Sequence, residues 1–289
     1  MPAGMRGREG NMKKKKLLGL VACVATLALS GALLAGCSGS GDKTGGDSAD
    51  GKETLTVGFD QSYPPYGFVG DDGKFTGFDL DLAQAVCDMN GWELKLSAID
   101  WDAKDALLAQ GNINCIWNGF TMEGREDGYT FSDPYMLNEQ VIVVKAGSDI
   151  SDFAGLSGKT VMTQVDSAAL DVLEGDQAEV AATFKGGAAQ TIGDYNNAFM
   201  QLDSGMIDAV ACDLSIAQYQ IAANPDKYVQ LSTPLSTEHY AVGFKKGDTE
   251  LAQKVTETLK QLDADGTVKQ LCEKYASYGI SYDNWVLGK

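Results

Sequence analysis

WNGFTMEGREDGYTFSDPY, residues Trp117 to Tyr135, is the stretch around which the rest of the chain can be organised. It follows a largely apolar run, Ile113 to Trp117, which has the profile of a short buried strand. Asn118-Gly119-Phe120-Thr121 then leaves that strand, and Arg125 stands four residues after Thr121. A guanidinium offers a rigid fork of donors that fits a carboxylate with two parallel bonds. Backbone N–H groups and a threonine hydroxyl, freed where a strand ends, complete such a cradle. The pattern suits holding an amino acid by its α-carboxylate; taken alone, it equally suits an arginine on a solvated turn.

Gly119-Phe120-Thr121, Arg125 and Phe131-Ser132-Asp133-Pro134-Tyr135 resemble the central signature of the family 3 extracellular solute-binding proteins, the receptors of polar amino-acid ABC importers. Four further stretches resemble that family in the same order. They are Val57-Gly58-Phe59-Asp60 with Tyr63-Pro64-Pro65-Tyr66; Gly77-Phe78-Asp79-Leu80-Asp81-Leu82-Ala83; Trp101 ahead of Leu107-Leu108-Ala109-Gln110-Gly111; and Leu202 to Ala209 with Asp213. Together they run from about residue 53 to the end.

The resemblance implies an α/β protein with a two-lobed, periplasmic-binding-protein-like fold of type II. Each lobe would be a sheet flanked by helices, and two chain crossings would form the hinge. The crossings are expected near Met136 to Glu139 and near Leu231 to Leu235. Lobe 1 would then comprise 53–138 and 234–289, and lobe 2 139–233.

It also implies a site. Arg125 would clamp the ligand α-carboxylate, helped by the Gly119 and Thr121 N–H groups and the Thr121 hydroxyl. Asp213 would meet the α-ammonium, although its position before Leu214 also suits a helix cap. Tyr63 and Trp101 would sandwich the side chain, Asp60 would accept a hydrogen bond from its polar end, and Asn118 would line the same pocket. This chain departs from the family in two places. Thr121 and Arg125 are four apart where the family has five, and Gln164-Val165-Asp166-Ser167 stands where the family has Gln-Gly-Ser/Thr. Asp166 would repel a carboxylate at a helix N-terminus, so it is expected to cap the helix and leave Ser167 to the ligand.

The N-terminal residues belong to no fold. Lys13 to Lys16 are basic, Leu17 to Leu34 are apolar, and Leu34-Ala35-Gly36-Cys37 resembles a lipobox. Residues 1–36 are thus expected to be a lipoprotein signal peptide, Cys37 the acylated residue, and 37–52 a flexible Gly/Ser/Asp-rich tether. The location this implies is the extracytoplasmic face of a membrane, reached by lipid.

Of 289 residues, 40 are Asp or Glu and 23 Lys or Arg. Removing 1–36 takes six of the basic and one of the acidic residues, leaving a formal charge of −22. Such an acidic surface argues against nucleic-acid binding, which needs phosphates neutralised. Cys87, Cys115, Cys212 and Cys272 are widely spaced with no CxxC, which argues against a metal site; export permits disulfides among them, while the apolar surroundings of Cys87 and Cys115 favour free buried thiols. His239 is the one histidine, so no hydrolase triad can be assembled.

The expected function is therefore a binding module without a cofactor, acting as a monomer with an ABC permease and ATPase. Asp60 disfavours Asp and Glu as ligands and suits Gln, Asn, cystine or a cationic amino acid. The competing class is an enzyme on the same scaffold, a cyclohexadienyl-dehydratase-like protein, with Glu123 or Glu139 as the general acid.

Strand–helix alternation along the chain supports an α/β sheet. Strands are expected at Leu55–Phe59, Leu94–Ala98, Val141–Val144, Thr160–Gln164, Ala182–Lys185, Ile207–Cys212 and Val242–Phe244. Helices are expected after Asp79 or Asp81 (with Leu82, Val86 and Met89 on one face), after an Asp102 cap, and at Ser167–Glu174, Tyr195–Leu202, Leu214–Ala223, Leu251–Leu262 and Val268–Tyr275.

Overall fold

The computed structural model describes residues 52–289. The expected signal peptide, Cys37 and nearly all of the expected tether lie outside the described residues.

The chain starts with β1 (Thr54–Phe59) and a small meander, β2 (Ser62–Tyr63), β3 (Gly67–Val69) and β4 (Phe75–Thr76). Helix α1 (Phe78–Asn90) has Asp79 and Asp81 in its first turn, where the helix dipole favours negative charge. It stops at Gly91, whose left-handed backbone sends its N–H back to the Asp88 carbonyl. The buried face of α1 is Leu82, Ala83, Val86 and Cys87, and Met89 points outward at 42% exposure, against expectation. Next come β5 (Glu93–Ala98), α2 (Lys104–Ala109), β6 (Cys115–Ile116) and β7 (Tyr129–Phe131). Asp102 does not cap α2, because Trp101–Ala103 already form a 3₁₀ turn and the helix begins beyond it.

The long strand β8 (Met136–Lys145) leads to β9 (Val161–Gln164), α3 (Ala168–Glu174), α4 (Ala178–Ala181), β10 (Gln190–Ile192) and α5 (Tyr195–Ser204). Asp194 caps α5 by accepting from the Asn197 N–H, and Gly205 closes it in the left-handed region. The strand expected at Ala182–Lys185 is instead a continuation of turns after α4, pinned by buried Phe184. The strand neighbouring β9 on its outer side is β10. The remaining elements are β11 (Ala209–Asp213), α6 (Leu214–Ala223), β12 (Tyr228–Gln230), β13 (Ser236–Tyr240), β14 (Gly243–Lys245), α7 (Thr249–Ala264) and α8 (Thr267–Lys274).

These strands form two main sheets, ordered β5-β1-β6-β14-β7 and β10-β9-β11-β8-β12. Within the first, β1 is parallel to β5 and β6 while β14 returns antiparallel; within the second, β9, β10 and β11 are parallel and β8 runs against β11. The architecture is the two-lobed type II fold. Chain passes between the sheets where β7 gives way to β8 and where β13 gives way to β14. β13 pairs with the first half of β8, Tyr240 opposite Met136 and Ser236 opposite Gln140, so the connection is a two-stranded ribbon. Helices α7 and α8 pack against α1, tying the C-terminal segment to the first lobe. All four described cysteines are unpaired and buried.

Candidate functional site

Strands β1, β6, β9 and β11 end toward the gap between the lobes, where open α/β sheets place ligand groups. A cavity there is lined by seven of the nine residues expected from sequence: Tyr63, Trp101, Gly119, Thr121, Arg125, Ser167 and Asp213. Gln164 and Ala168 line it as well. It encloses about 10 Å³, room for a single water in this closed conformation. Asp60 and Asn118 sit behind it, buried.

Arg125 belongs to lobe 1, yet both its bonds reach lobe 2. Its Nη2 donates to the Asp166 carbonyl at 3.1 Å and to Asp171 Oδ2 at 2.8 Å, while the guanidinium lies 5.0 Å from the Phe120 ring. The clamp is thus not an open fork here; a carboxylate from the first turn of α3 engages it. Asp166 meets lobe 1 at two points. Its carbonyl also accepts from Trp101 Nε1 at 3.1 Å, and its carboxylate takes Lys104 Nζ at 2.8 Å. Among the described residues Asp166 is the one non-glycine with positive φ, 57°. That conformation turns its side chain toward lobe 1, so it cannot cap α3. Ser167 caps instead, its Oγ accepting from the Leu170 N–H at 3.2 Å. Ser167 thus takes the cap expected of Asp166 while also lining the cavity.

Two expected donors are engaged elsewhere. The Gly119 N–H goes to Asp79 Oδ2 at 2.6 Å, and the Thr121 hydroxyl goes to Glu238 Oε1 at 2.7 Å. Gly119 still shapes the cavity, since its φ is 57° and an added Cβ would come within 3.0 Å of Tyr240. Asp79 is fully buried and accepts from the Tyr135 hydroxyl at 2.8 Å. Burial pushes its carboxyl up to about 7 although the Gly119 and Tyr135 donors pull it down.

Asp60 meets lobe 2 directly, accepting from Gln164 Nε2 at 2.7 Å, while Asn118 Oδ1 holds the Asp60 N–H at 2.6 Å. Burial raises the Asp60 carboxyl above the usual carboxylate range. Tyr63 and Trp101 both line the cavity, Tyr63 beside Tyr195 (ring centroids 6.1 Å apart) and Trp101 edge-on to Phe120 at 5.7 Å.

Asp213 stands at the end of β11, and its side chain makes no capping bond to α6. Instead Oδ1 accepts from Asn138 Nδ2 (2.9 Å), Gln140 Nε2 (2.7 Å) and the Tyr240 hydroxyl (2.8 Å). The same two amides donate to Glu238 Oε1 at 2.8 and 2.7 Å. Glu238 and its amide partners went unread in the sequence. Their signal was alternation: Met136, Asn138 and Gln140 share the buried face of β8, and Glu238 stands opposite Asn138.

Residues 55–278 match the model of the bacterial extracellular solute-binding proteins, family 3. The chain is 30% identical over 225 residues to the L-cystine-binding protein TcyJ of Escherichia coli K12, covering 77% of this chain and 82% of that one. Among solved structures it resembles an ABC uptake transporter substrate-binding protein from Streptococcus pneumoniae with bound histidine. That match has a TM-score of 0.76 and 33% identity, over 79% of this chain and 94% of that one. It also resembles the ancestral amino acid-binding protein AncCDT-1, a precursor of cyclohexadienyl dehydratase, with a TM-score of 0.69 and 30% identity over 77% and 95% of the two chains. The chain belongs to family 3 of the bacterial extracellular solute-binding proteins.

Proposed function

We propose that this chain is a lipid-anchored extracytoplasmic receptor that binds one polar amino acid between its lobes and hands it to an ABC importer. One observation carries the reading: a cation, Arg125 on lobe 1, and a buried carboxylate, Asp213 on lobe 2, line one cavity from opposite sides. A zwitterion satisfies both at once, and only when the lobes meet. It therefore has the differential affinity that a closing motion requires. Opening must part Arg125 from Asp171 before the guanidinium can take the ligand carboxylate.

Gln164 lines the cavity and Asp60 stands bonded behind it, an arrangement that favours Gln, Asn, cystine or a cationic residue over Asp and Glu. Cystine and histidine, the ligands named for TcyJ and for the Streptococcus pneumoniae protein, fall in that range. Cys37 would carry the lipid and the following residues would give the domain reach. The dehydratase-like alternative needs a general acid in the cleft. Neither Glu123 nor Glu139 lines the cavity, and Glu123 is paired with His239 Nδ1 at 2.7 Å.

Calorimetry with L-arginine, L-glutamine, L-cystine and L-glutamate tests this. At least one of the first three should bind at least tenfold more tightly than L-glutamate. Absence of binding heat for the first three, or a preference for L-glutamate, would overturn the reading.

A further inference from the structure

Asp213 accounts for one ligand charge, but Glu238 beside it is unexplained. It lies on β13, in the ribbon between the lobes, and is 3% exposed. Each of Asn138 and Gln140 has two amide N–H donors, and each gives one to Asp213 and one to Glu238. A third donor reaches each carboxylate: the Tyr240 hydroxyl for Asp213 and the Thr121 hydroxyl for Glu238. The Ser236 hydroxyl also reaches Glu238 Oε2 at 3.5 Å, and all seven bonds come from neutral groups. The other groups facing the pair are Tyr63 from β2, Tyr66 beyond it, Tyr195 from α5 and Cys212 from β11. Burial raises each of these above its usual value, so they stay uncharged. Arg125 is the one cation lining the same cavity, and Asp171 neutralises it. Nearby, Gln140 Oε1 is buried with no donor, adding another unsatisfied acceptor. The cluster is short of one positive charge or one proton. Two like charges sharing such a site cannot both ionise cheaply, and burial raises both carboxyls.

We propose that Glu238 and Asp213 together hold one proton, and that the entering ligand ammonium displaces it to solvent, which makes Glu238 a positioning residue for ligand uptake. The balance closes: one carboxyl O–H bond breaks, its proton passes to buffer, and the arriving ammonium restores the charge that left. Thr121 follows from the same geometry. With its hydroxyl proton aimed at Glu238, its oxygen faces the ligand as an acceptor for N–H rather than as a donor to the carboxylate. This inference rests on the amino-acid-binding reading.

The test is calorimetry on the full-length chain, using whichever of L-arginine, L-glutamine and L-cystine binds most tightly. Titrations at several pH values from 5 to 8 are run in buffers of differing ionisation enthalpy. The wild type should release about one proton per ligand at its maximum, with affinity rising about tenfold per pH unit there. Glu238→Gln should release almost none and lose that pH dependence. Binding with no buffer-dependent heat at any pH in the wild type would overturn the proposal, as would unchanged release in Glu238→Gln. Should that variant fail to fold, the wild-type titration still decides. If none of the three amino acids binds, the receptor reading itself fails, which is a separate outcome.

Discussion

The two ends of the cleft solve the same problem in opposite ways. At the arginine end, charge meets charge across the lobes: Arg125 with Asp171 and Lys104 with Asp166, in a region where both acids are half exposed or more. At the aspartate end, Asp213 and Glu238 are buried and held by neutral donors alone. Coulomb energy at the first end is softened by water, whereas at the second any uncompensated charge stays expensive. Under the proposed function, the cleft would bind strongly where it is short of positive charge, and close reversibly where its charges are already matched.

The largest effect that could break this contrast is at Asp213. Asp213→Asn keeps the shape but removes the charge that the ligand ammonium is proposed to meet. Losing one partner of a buried charged pair costs roughly 2–5 kcal/mol, or about thirtyfold and upward in affinity. Calorimetry should show that loss. Thermal stability at pH 8 should be unchanged or higher, because burial already disfavours the native carboxylate. Affinity within threefold of wild type would mean that the dry end is not where the ammonium sits.

Asp79 sharpens the comparison, since it is another carboxylate held in the dark by neutral donors but does not line the cavity. Its folded carboxyl titrates at about 7 against 3.8 for the unconstrained group. A raised value means that its contribution is fully present below about pH 4 and is lost as pH rises through 7. Asp79→Asn removes that penalty while leaving an oxygen for the Gly119 N–H. The stability of the variant relative to wild type should grow between pH 4 and 8, by on the order of 4 kcal/mol at most. Denaturant melts across that range check it. A constant difference would show that Asp79 is charged in the fold throughout.

Much of this was legible in the sequence, for physical reasons. Strand β1 announces itself by alternation, helix α1 by an apolar face with Gly91 as its stop, and strand β11 by a continuous apolar run from Ala209 to Cys212. Arg125, Asp213, Tyr63 and Trp101 fall into one cleft through the resemblance to family 3, and for Asp213 the position at the end of a buried strand supports it. What the residues could not reveal was who answers whom. Asp166 reads as a cap until its positive φ turns it toward Lys104, and Lys104 reads as a solvated lysine until lobe 2 buries it. Glu238 and Asn138 look like ordinary strand polarity 100 positions apart, and only the ribbon pairing makes them neighbours. Polar partners distant in sequence are set by register, which a single chain does not print.

The smallest prediction concerns the charged end itself. Lys104 is 3% exposed and bonds Asp166 at 2.8 Å, so it closes the mouth of the cleft without lining it. Because Asp166 is half exposed, water competes for its carboxylate and the pair contributes little, about 1 kcal/mol or less. Lys104→Met should therefore weaken ligand binding by no more than about fivefold, by shifting the protein toward the open state. Asp166→Gly tolerates the left-handed backbone and keeps the carbonyl that Trp101 and Arg125 use, removing only the carboxylate. Lys104 also lies 5.5 Å from the Trp101 ring centroid and 3.9 Å from Asp105, so the single variant mixes several losses. A double-mutant cycle isolates the part that belongs to Asp166. Its coupling in ligand affinity should be positive and well below the cost of Asp213→Asn. Small-angle scattering with saturating ligand should show both single variants slightly more open. A coupling of zero would mean that the mouth is held by Arg125 and Trp101 on the Asp166 carbonyl. A coupling as large as the Asp213 effect would erase the distinction between a water-softened end and a dry one.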